Sequence, residues 1–257
     1  NQRDYIQYAE KIMNYLINEQ FRLSDGVFAR KYTITPSVWA DDMFMGIPYL
    51  LLSAQYTNDS ALKKRLFDDA ANQIILFNKY LYRKDKKLYM QACYVNYTDQ
   101  KIPLWSRGNG WAVWGTSEVL KHLPKNHKEY NRVLKIFKEH IDGIVECQDQ
   151  DGFWHNILDM PETVRESSGA AMFTMAIARG INNGWLDRER YRPVLEKAWK
   201  SLKTFIDNEG NLHGVKGGTN FSPDPKDYER TPFVKSDTHG ILPLLFACIE
   251  MDRFYKN

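Results

Sequence analysis

The same local pattern recurs four times along the chain, and this repetition limits the folds that the chain can adopt. Each copy is a tight turn followed by aromatic or other apolar residues, and successive copies begin 61, 65 and 58 residues apart. The copies are Asp25-Gly26-Val27-Phe28, Lys86-Lys87-Leu88-Tyr89, Asp151-Gly152-Phe153-Trp154 and Glu209-Gly210-Asn211-Leu212. Each turn follows a segment with helical periodicity and precedes a longer polar loop. The repeat of about 60 residues therefore predicts a pair of helices, and stacked pairs build a solenoid or a closed toroid.

Apolar residues at helical spacing predict eight helices, whereas strand-like alternation is scarce. The predicted helices span residues 2–18, 39–57, 60–80, 109–122, 127–147, 166–182, 187–205 and 236–255. The helices that follow the long loops begin with polar residues and become almost wholly apolar or small, which is typical of an inner helix. The alternate helices carry one charged face, as Lys135, Lys138 and Glu139 do in residues 127–147. We therefore expect an all-α fold with an inner ring of helices wrapped by an outer ring.

The length of the chain predicts one domain over residues 1–257, because a chain of 257 residues can bury a single full-sized core. Four helix pairs account for this length, and a closed toroid of six pairs needs about another 120 residues at the same repeat length. The chain begins at Asn1 and not at a methionine, and the last predicted helix ends without a partial repeat. We expect a toroid that lacks its N-terminal helix pairs.

Composition excludes several classes of function. The 35 Lys and Arg residues nearly balance the 32 Asp and Glu residues, and no long basic block suggests a nucleic acid or membrane partner. No apolar run reaches membrane-spanning length, and no glycine-rich phosphate loop or Gly-x-Ser-x-Gly elbow is present. The cysteines, Cys93, Cys147 and Cys248, lack metal-ligand or redox spacing, so we expect them in the core. The lone histidines His155, His213 and His239 are interpreted as structural, and no metal or cofactor is expected.

The first motif with chemical potential surrounds two aspartates at the start of an inner helix. Asp41 and Asp42 stand in the first turn, where free N–H groups and the helix dipole favour negative charge, so either could be a simple cap. Trp39 precedes Asp41, and Met43 and Met45 follow it. Apolar surroundings raise the pKa of a carboxyl group and keep it available as an acid. We therefore predict a functional role for Asp41.

The second motif places Arg107 between Trp105 and Trp111, across a Gly-Asn-Gly turn that lets the backbone approach a ligand closely. Arg107 is either a structural arginine paired with a loop carboxylate or part of a pocket, and the flanking indoles favour the pocket. Indole rings for stacking, a cation and an acid together suit a sugar acid. Glu166, Ser167 and Ser168 could contribute at the rim, but we interpret this helix start first as a cap.

In their order and spacing, three motifs resemble the unsaturated rhamnogalacturonyl and unsaturated glucuronyl hydrolases, glycoside hydrolase families 105 and 88. They are Trp39-x-Asp41-x-Met43-x-Met45, Trp105-x-Arg107-x-x-Gly110-Trp111 and Glu166-Ser-Ser-Gly-x-x-Met172-Phe173. The resemblance covers nearly the whole chain and is closer to the rhamnogalacturonyl branch. It implies an (α/α)6 barrel, of which this chain holds about four helix pairs. It also implies removal of the Δ4,5-unsaturated uronic acid that polysaccharide lyases leave at the non-reducing end of an oligosaccharide.

The resemblance also implies roles for single residues. Asp41 would protonate C4 of the vinyl ether and help to activate the water that adds at C5, after which the hemiketal opens and releases the neighbouring sugar. One acid that serves both proton steps explains why no second carboxylate stands at the usual glycosidase spacing. The substrate-binding set that the resemblance implies consists of Trp39, Asp42, Gln91, Trp105, Arg107 and Trp111.

The chain departs from the family pattern in three places. The second active-site aspartate of the family lies in an earlier helix pair that this chain does not contain. Gln91 stands where many relatives carry a histidine, and a further histidine is replaced near Ala29 and Arg30. Gln91 can still donate a hydrogen bond but cannot carry a proton.

Two other functions stay open at this stage. An inverting glycosidase on the same toroid would act on saturated glycosides with two carboxylates about 6.5–9.5 Å apart. A non-catalytic carbohydrate-binding protein would keep the stacking rings without turnover. The partner in every case is an oligosaccharide, and we expect a monomer or weak oligomer. A bacterial cytoplasmic or periplasmic location follows only from the resemblance.

Overall fold

The computed structural model describes residues 2–31, 35–235 and 237–256, within which ten α-helices and six short strands are present. The helices are α1 Gln2–Asn14, α2 Asp42–Met45, α3 Ile47–Tyr56, α4 Ser60–Leu81, α5 Ser106–His122, α6 Tyr130–Glu146, α7 Ser167–Asn182, α8 Arg188–Lys203, α9 Pro225–Arg230 and α10 Thr238–Lys256. A π-helical segment, Tyr15–Glu19, follows α1. The strands form three antiparallel pairs, which are β1 Ser37–Trp39 with β4 Ala92–Tyr94, β2 Tyr82–Arg83 with β3 Leu88–Tyr89, and β5 Val215–Lys216 with β6 Phe233–Val234.

The long helices alternate between an inner and an outer layer, as their composition predicts. Helices α5 and α7 are buried from Ser106 to Ser117 and from Ser167 to Ile181, including their small and polar residues. Helix α7 packs between α5 and α10, and α5 also packs against α2 and α3. The charged helices α4, α6 and α8 each lie against the inner helix of their own pair. The predicted all-α fold with two helical layers is therefore confirmed.

Short polar side chains begin several of the helices. Asp59 accepts hydrogen bonds from the backbone N–H groups of Ala61 and Leu62 at the start of α4, and Asp187 accepts one from Arg190 at the start of α8. The left-handed Gly184, with φ of 70°, follows α7. These caps stand where the sequence predicts helix boundaries.

The predicted helix over residues 39–57 is wrong at its start and is divided at Gly46, whereas residues 42–45 and 47–56 are helical. Trp39 instead ends the strand β1, because its partners are the residues of β4, more than fifty positions away in the sequence. The remaining residues form two helices that meet at Gly46, where Pro48 lies in the first turn of α3 and cannot continue the hydrogen bonding of α2.

Three further differences concern element boundaries and short elements. Helix α5 begins at Ser106, so the predicted Gly-Asn-Gly turn is helical, and a Cβ atom on Gly110 would meet the Met172 sulfur at 2.3 Å. Gly110 therefore serves the close packing of α5 against α7. The short helix α9 and the strands were not predicted, since their residues show no sustained periodicity. Residue Ser236, the predicted start of the last helix, lies outside the described residues, and α10 is described from Thr238.

The continuation of the toroid by further helix pairs stays a prediction. None of the helices in the described ranges combines the length and apolar composition needed to cross a membrane.

A buried ion network ties the three inner helices α5, α7 and α10 together. Arg179 on α7 donates to Glu118 on α5 at 2.6 Å and to Glu250 on α10 at 3.0 Å, and its side chain is 1% exposed. Burial alone would raise the pKa of Glu118, but hydrogen bonding to His122 and the Arg179 cation outweigh it and hold the pKa at about 2. The network therefore fixes the spacing of these helices with charges that are fully paired.

We expect Arg179→Gln to lower the free energy of unfolding by about 3–5 kcal/mol, because it removes the buried cation that Glu118 and Glu250 share and leaves them with the more exposed partners His122 and Arg253. The measurement is urea unfolding followed by tryptophan fluorescence. Arg192→Gln is the matched control, since Arg192 pairs with Glu196 at 2.9 Å on the exposed face of α8. That control should cost less than about 1 kcal/mol. An equal cost for both variants would contradict a special role of the buried network.

Candidate active site

Asp41 is positioned by the antiparallel pairing of β1 with β4. The backbone N–H of Ala40 donates to the carbonyl of Gln91 at 2.8 Å, which continues the pairing by one step. Asp41 then immediately precedes α2, but its side chain makes no capping hydrogen bond. Its Oδ2 atom is buried and has no hydrogen-bond partner among the described residues. The structure therefore does not support the capping interpretation of Asp41, and its Oδ2 atom is available for another partner.

The pKa of Asp41 is raised to about 6. Burial is the largest cause, and the neighbouring charge of Asp42 adds to it, whereas Arg30 and Arg107 oppose it. A carboxyl group in such surroundings is partly protonated near neutral pH, as a general acid requires.

Asp42 and Trp39 share one cation. Arg30 binds the carboxylate of Asp42 through Nη2 at 2.6 Å and through Nε at 3.0 Å. The same guanidinium lies 4.2 Å from the centre of the Trp39 ring. Phe221 covers another side of this indole edge-on, at 4.8 Å between ring centroids. Trp39 thus forms part of the buried wall beside Asp41.

Arg107 is held by the loop around β5. Its guanidinium donates from Nη1 to the carbonyl of Lys216 at 2.8 Å and from Nη2 to the carbonyl of Gly217. The Glu166 carboxylate lies 3.9 Å from Nη1, and the Arg107 side chain is 1% exposed. The sequence allowed Arg107 to be a structural arginine that pairs with a loop carboxylate. In the structure Arg107 does lie beside a carboxylate, but this is Glu166 at the start of α7. Direct contact of Arg107 with a substrate stays a prediction.

Glu166 is the partner that joins α7 to the same loop. Its carboxylate accepts from the backbone N–H of Gly169 at 2.8 Å, the hydroxyl of Ser168 at 2.8 Å and the backbone N–H of Lys216 at 3.2 Å. This confirms the capping interpretation of the Glu166 motif. Through Lys216, Glu166 also holds the segment from Lys216 to Phe221, which contacts Gln91 and Trp39.

Both tryptophans of the second motif are buried. Trp105 donates through Nε1 to Asn156 at 3.1 Å, and its ring lies 4.8 Å from the Arg107 guanidinium carbon. Trp111 stacks on Phe44 at 4.8 Å between ring centroids. Because Phe44 belongs to α2, this contact connects the second motif to the helix that follows Asp41.

Gln91 contributes a second unpartnered oxygen. Its Nε2 atom donates to the carbonyl of Thr219 at 3.4 Å, and its Oε1 atom is buried without a hydrogen-bond partner in the described part of the chain. Gln91 is joined by one backbone hydrogen bond to Ala40, the residue before Asp41. Buried polar atoms are rarely left unsatisfied, so each of these two oxygens indicates a place for a polar ligand.

Sequence reasoning missed the pair Asp237 and His239. The Asp237 carboxylate accepts from both the ring and the backbone N–H of His239, and that ring lies 6.2 Å from the Trp111 ring. Burial raises the pKa of Asp237, but the hydrogen bonds from His239, its charge and that of Arg107 outweigh this effect and lower it. The signal was present in the sequence, because Asp237 and His239 stand at the start of an inner helix, just as Asp41 stands directly before α2.

The described side chains contain no group of three His, Cys, Asp or Glu residues that could hold a metal ion.

Comparisons with known proteins agree on one family. A family model described as Glycosyl Hydrolase Family 88 matches residues 1–255. An unsaturated 3S-rhamnoglycuronyl hydrolase from Formosa agariphila is 33% identical over 195 residues, which cover 73% of this chain and 51% of that protein. A protein of the same name from an Alteromonas species is 30% identical over 220 residues, which cover 83% of this chain and 50% of that protein. The chain thus spans about half the length of the curated relatives it matches.

A solved structure supports the fold independently. It is described as a possible member of GH105 family from Salmonella enterica serovar Paratyphi A, and it matches with a TM-score of 0.89 at 24% identity. The match covers 98% of this chain and 67% of that structure. It confirms the predicted α/α toroid.

We expect Asp41→Asn to stabilise the folded protein increasingly as the pH rises from about 4 to about 6. The folded-state pKa of about 6 lies above the ordinary value of 3.8, so ionisation of Asp41 costs stability above this window and nothing below it. The gain should reach at most about 3 kcal/mol at neutral pH. Urea unfolding at several pH values measures it.

Asp252→Asn is the control for this prediction, because Asp252 is an exposed carboxylate near the end of α10 and does not act on Asp41. It should give no stabilisation that grows with pH. A pH-independent difference between Asp41→Asn and the unchanged protein would show that Asp41 titrates normally.

Proposed function

Because the chain belongs to Glycosyl Hydrolase Family 88, we propose that it is a glycoside hydrolase that removes a Δ4,5-unsaturated uronic acid from the non-reducing end of lyase-generated oligosaccharides. The two relatives described above carry names that specify unsaturated rhamnoglycuronyl substrates. The observation that carries the proposal is the Asp41 carboxyl group, with its unpartnered buried oxygen and its raised pKa.

The reaction begins with neutral Asp41 as the acid. Its proton goes to C4 of the sugar, the C4=C5 double bond is lost, and positive charge develops at C5 and the ring oxygen. Water adds at C5 and returns a proton to the Asp41 carboxylate. The resulting hemiketal opens by breaking the bond between C5 and the ring oxygen, which gives a ketone at C5 and a hemiacetal at C1. That hemiacetal collapses to an aldehyde and releases the neighbouring sugar as an alcohol, without direct displacement at the glycosidic carbon.

The neighbouring charges suit this cycle. Arg107 and Arg30 favour the ionised form of Asp41, so they stabilise the carboxylate that exists after the first proton transfer. Both cations keep carboxylate partners of their own, Glu166 and Asp42. Asp41 therefore has stabilising charge nearby but, among the residues that the structure describes, no ion pair that would hold it ionised.

Gln91 has a supporting role in the proposal. Its unpartnered Oε1 can accept a hydrogen bond from a sugar hydroxyl next to the reacting carbon atoms. Because an amide cannot exchange protons with the substrate, Asp41 carries both proton steps.

We expect Asp41→Asn to lower the rate of hydrolysis by about 10²–10⁴-fold, the usual effect of losing a general acid. The assay follows the loss of the ultraviolet absorbance of the C4=C5 double bond of unsaturated disaccharides. Asp252→Asn is the matched control, because Asp252 is an exposed carboxylate near the end of α10. Saturated glycosides serve as the second substrate series. Turnover of saturated substrates alone, or full activity in Asp41→Asn, would refute the proposal.

The pH profile gives an independent test. We expect kcat/KM to fall about tenfold per pH unit above pH 6, since only the neutral acid can donate its proton. Arg30→Met should move this decline to higher pH, because Arg30 lowers the pKa of Asp41. The exposed Arg192→Met should leave the profile unchanged. A decline that stays in place in Arg30→Met would assign it to another group.

A further inference from the structure

A cleft of about 560 Å³ lies along β4, the strand that directly follows Gln91. It is bordered by Met90 and by Cys93, Tyr94 and Val95, so it follows β4, while Lys79 and Arg83 form its other border. Gln91 directly precedes β4, and a strand advances about 3.3 Å per residue. Tyr94 therefore lies about 10 Å along the strand from Gln91.

Two tyrosine rings are displayed at this cleft. Tyr94 is 40% exposed and Tyr97 is 61% exposed, and their ring centroids are 5.6 Å apart. Phe221 packs edge-on against Tyr94 at 4.9 Å and also against Trp39, which precedes Asp41 by two residues. The tyrosine pair is thus connected by direct ring contacts to the wall of the candidate active site.

One side chain fixes the loop that carries these rings. Gln100 donates through Nε2 to the carbonyl of Tyr94 at 2.8 Å and to that of Tyr97 at 2.9 Å, and its Oε1 accepts from the backbone N–H of Tyr94 at 2.8 Å. Asp99, which precedes it, is left-handed with φ of 55°. A loop held in this way displays its rings without a large ordering cost on binding.

The charges at the cleft are nearly compensated. Lys79 pairs with Asp25 at 2.9 Å and Arg83 pairs with Asp85 at 3.1 Å. Lys101 and Asp99 also border the cleft and bring one charge of each sign. The lining therefore offers both donors and acceptors of hydrogen bonds with little net charge, which suits hydroxyl groups better than a dense polyanion.

We propose that this cleft is a distal saccharide site, which binds a sugar ring of the substrate beyond the two sugars joined by the bond that is hydrolysed. Tyr97 and Tyr94 supply the ring faces, and the polar lining supplies hydrogen bonds to sugar hydroxyls. The inference rests on the proposed function, because that function places the cleaved end of the chain at Asp41. Its consequence is a preference for longer oligosaccharides.

The test compares unsaturated disaccharide and tetrasaccharide of alternating uronate and rhamnose as substrates. We expect Tyr97→Ala to lower kcat/KM for the tetrasaccharide about tenfold, which corresponds to about 1.4 kcal/mol, and to leave the disaccharide value within about twofold. Tyr56→Ala is the matched control, because Tyr56 is an exposed tyrosine on α3 that does not line the cleft. Equal effects of Tyr97→Ala on both substrates, or none on either, would overturn the proposal.

Binding without turnover separates this inference from the proposed function. Calorimetry with Asp41→Asn should show tetrasaccharide binding that weakens about tenfold when Tyr97→Ala is added. This result would support the cleft even if the unchanged protein hydrolysed neither substrate. Absent binding, or binding unaffected by Tyr97→Ala, would overturn it.

The dependence of this preference on salt concentration is a third test. Because the charges are compensated, the advantage of the tetrasaccharide should change less than about twofold between about 50 and about 500 mM NaCl. A steep loss with salt would show recognition of a polyanion instead of a sugar ring.

Discussion

The buried contact between Arg107 and Glu166 is the interaction on which the candidate site depends. Neither group can lie unpaired in the interior, because an isolated buried charge is far more costly than a buried pair with satisfied hydrogen bonds. The two side chains meet this demand by binding the same loop, Arg107 through the carbonyls of Lys216 and Gly217, and Glu166 through the N–H of Lys216. The starts of α5 and α7 are thereby joined to one segment. That segment continues to Thr219 and Phe221, which contact Gln91 and Trp39.

The same principle singles out Asp41 from the other carboxylates around it. Asp42 is bound by Arg30, and Glu166 is both a helix cap and a partner of Arg107. Asp41 alone of these three has a buried oxygen without a hydrogen-bond partner in the described ranges. Since Arg30 and Arg107 are engaged with the other two carboxylates, their opposing effect on Asp41 is outweighed by burial, which raises its pKa. A raised pKa at this position thus follows from how the surrounding charges are paired.

The predictions from sequence succeed where the physical cause is local. The inner helix α7 was predicted because it is apolar or small almost throughout. The starts of the outer helices α4 and α8 were predicted because Asp59 and Asp187 are residues that accept from the following N–H groups. The strand β1 could not be found in this way, since its hydrogen bonds come from β4. The carbonyl partners of Arg107 could not be predicted either, since they lie more than a hundred positions away in the sequence. The tyrosine pair at the cleft could not be predicted because its display depends on a loop that one side chain, Gln100, holds in place.

Close packing of the inner helices holds the helix starts that carry Asp41, Arg107 and Glu166 at fixed distances from one another. A Cβ atom on Gly169 of α7 would lie 2.0 Å from the hydroxyl oxygen of Ser106 on α5, and one on Gly115 of α5 would lie 2.3 Å from the carbonyl of Met43 on α2. Any larger residue at either position would push two inner helices apart, because interiors of this density do not absorb an extra methyl group without displacement. Ser106 and Gly169 each lie within three residues of Arg107 or Glu166, and Met43 lies two residues after Asp41. The separation of the inner helices therefore sets the distance between Asp41 and Arg107, one of the charges that act on its pKa. Small residues such as Gly115 and Gly169 are thus needed for the proposed chemistry through helix packing alone.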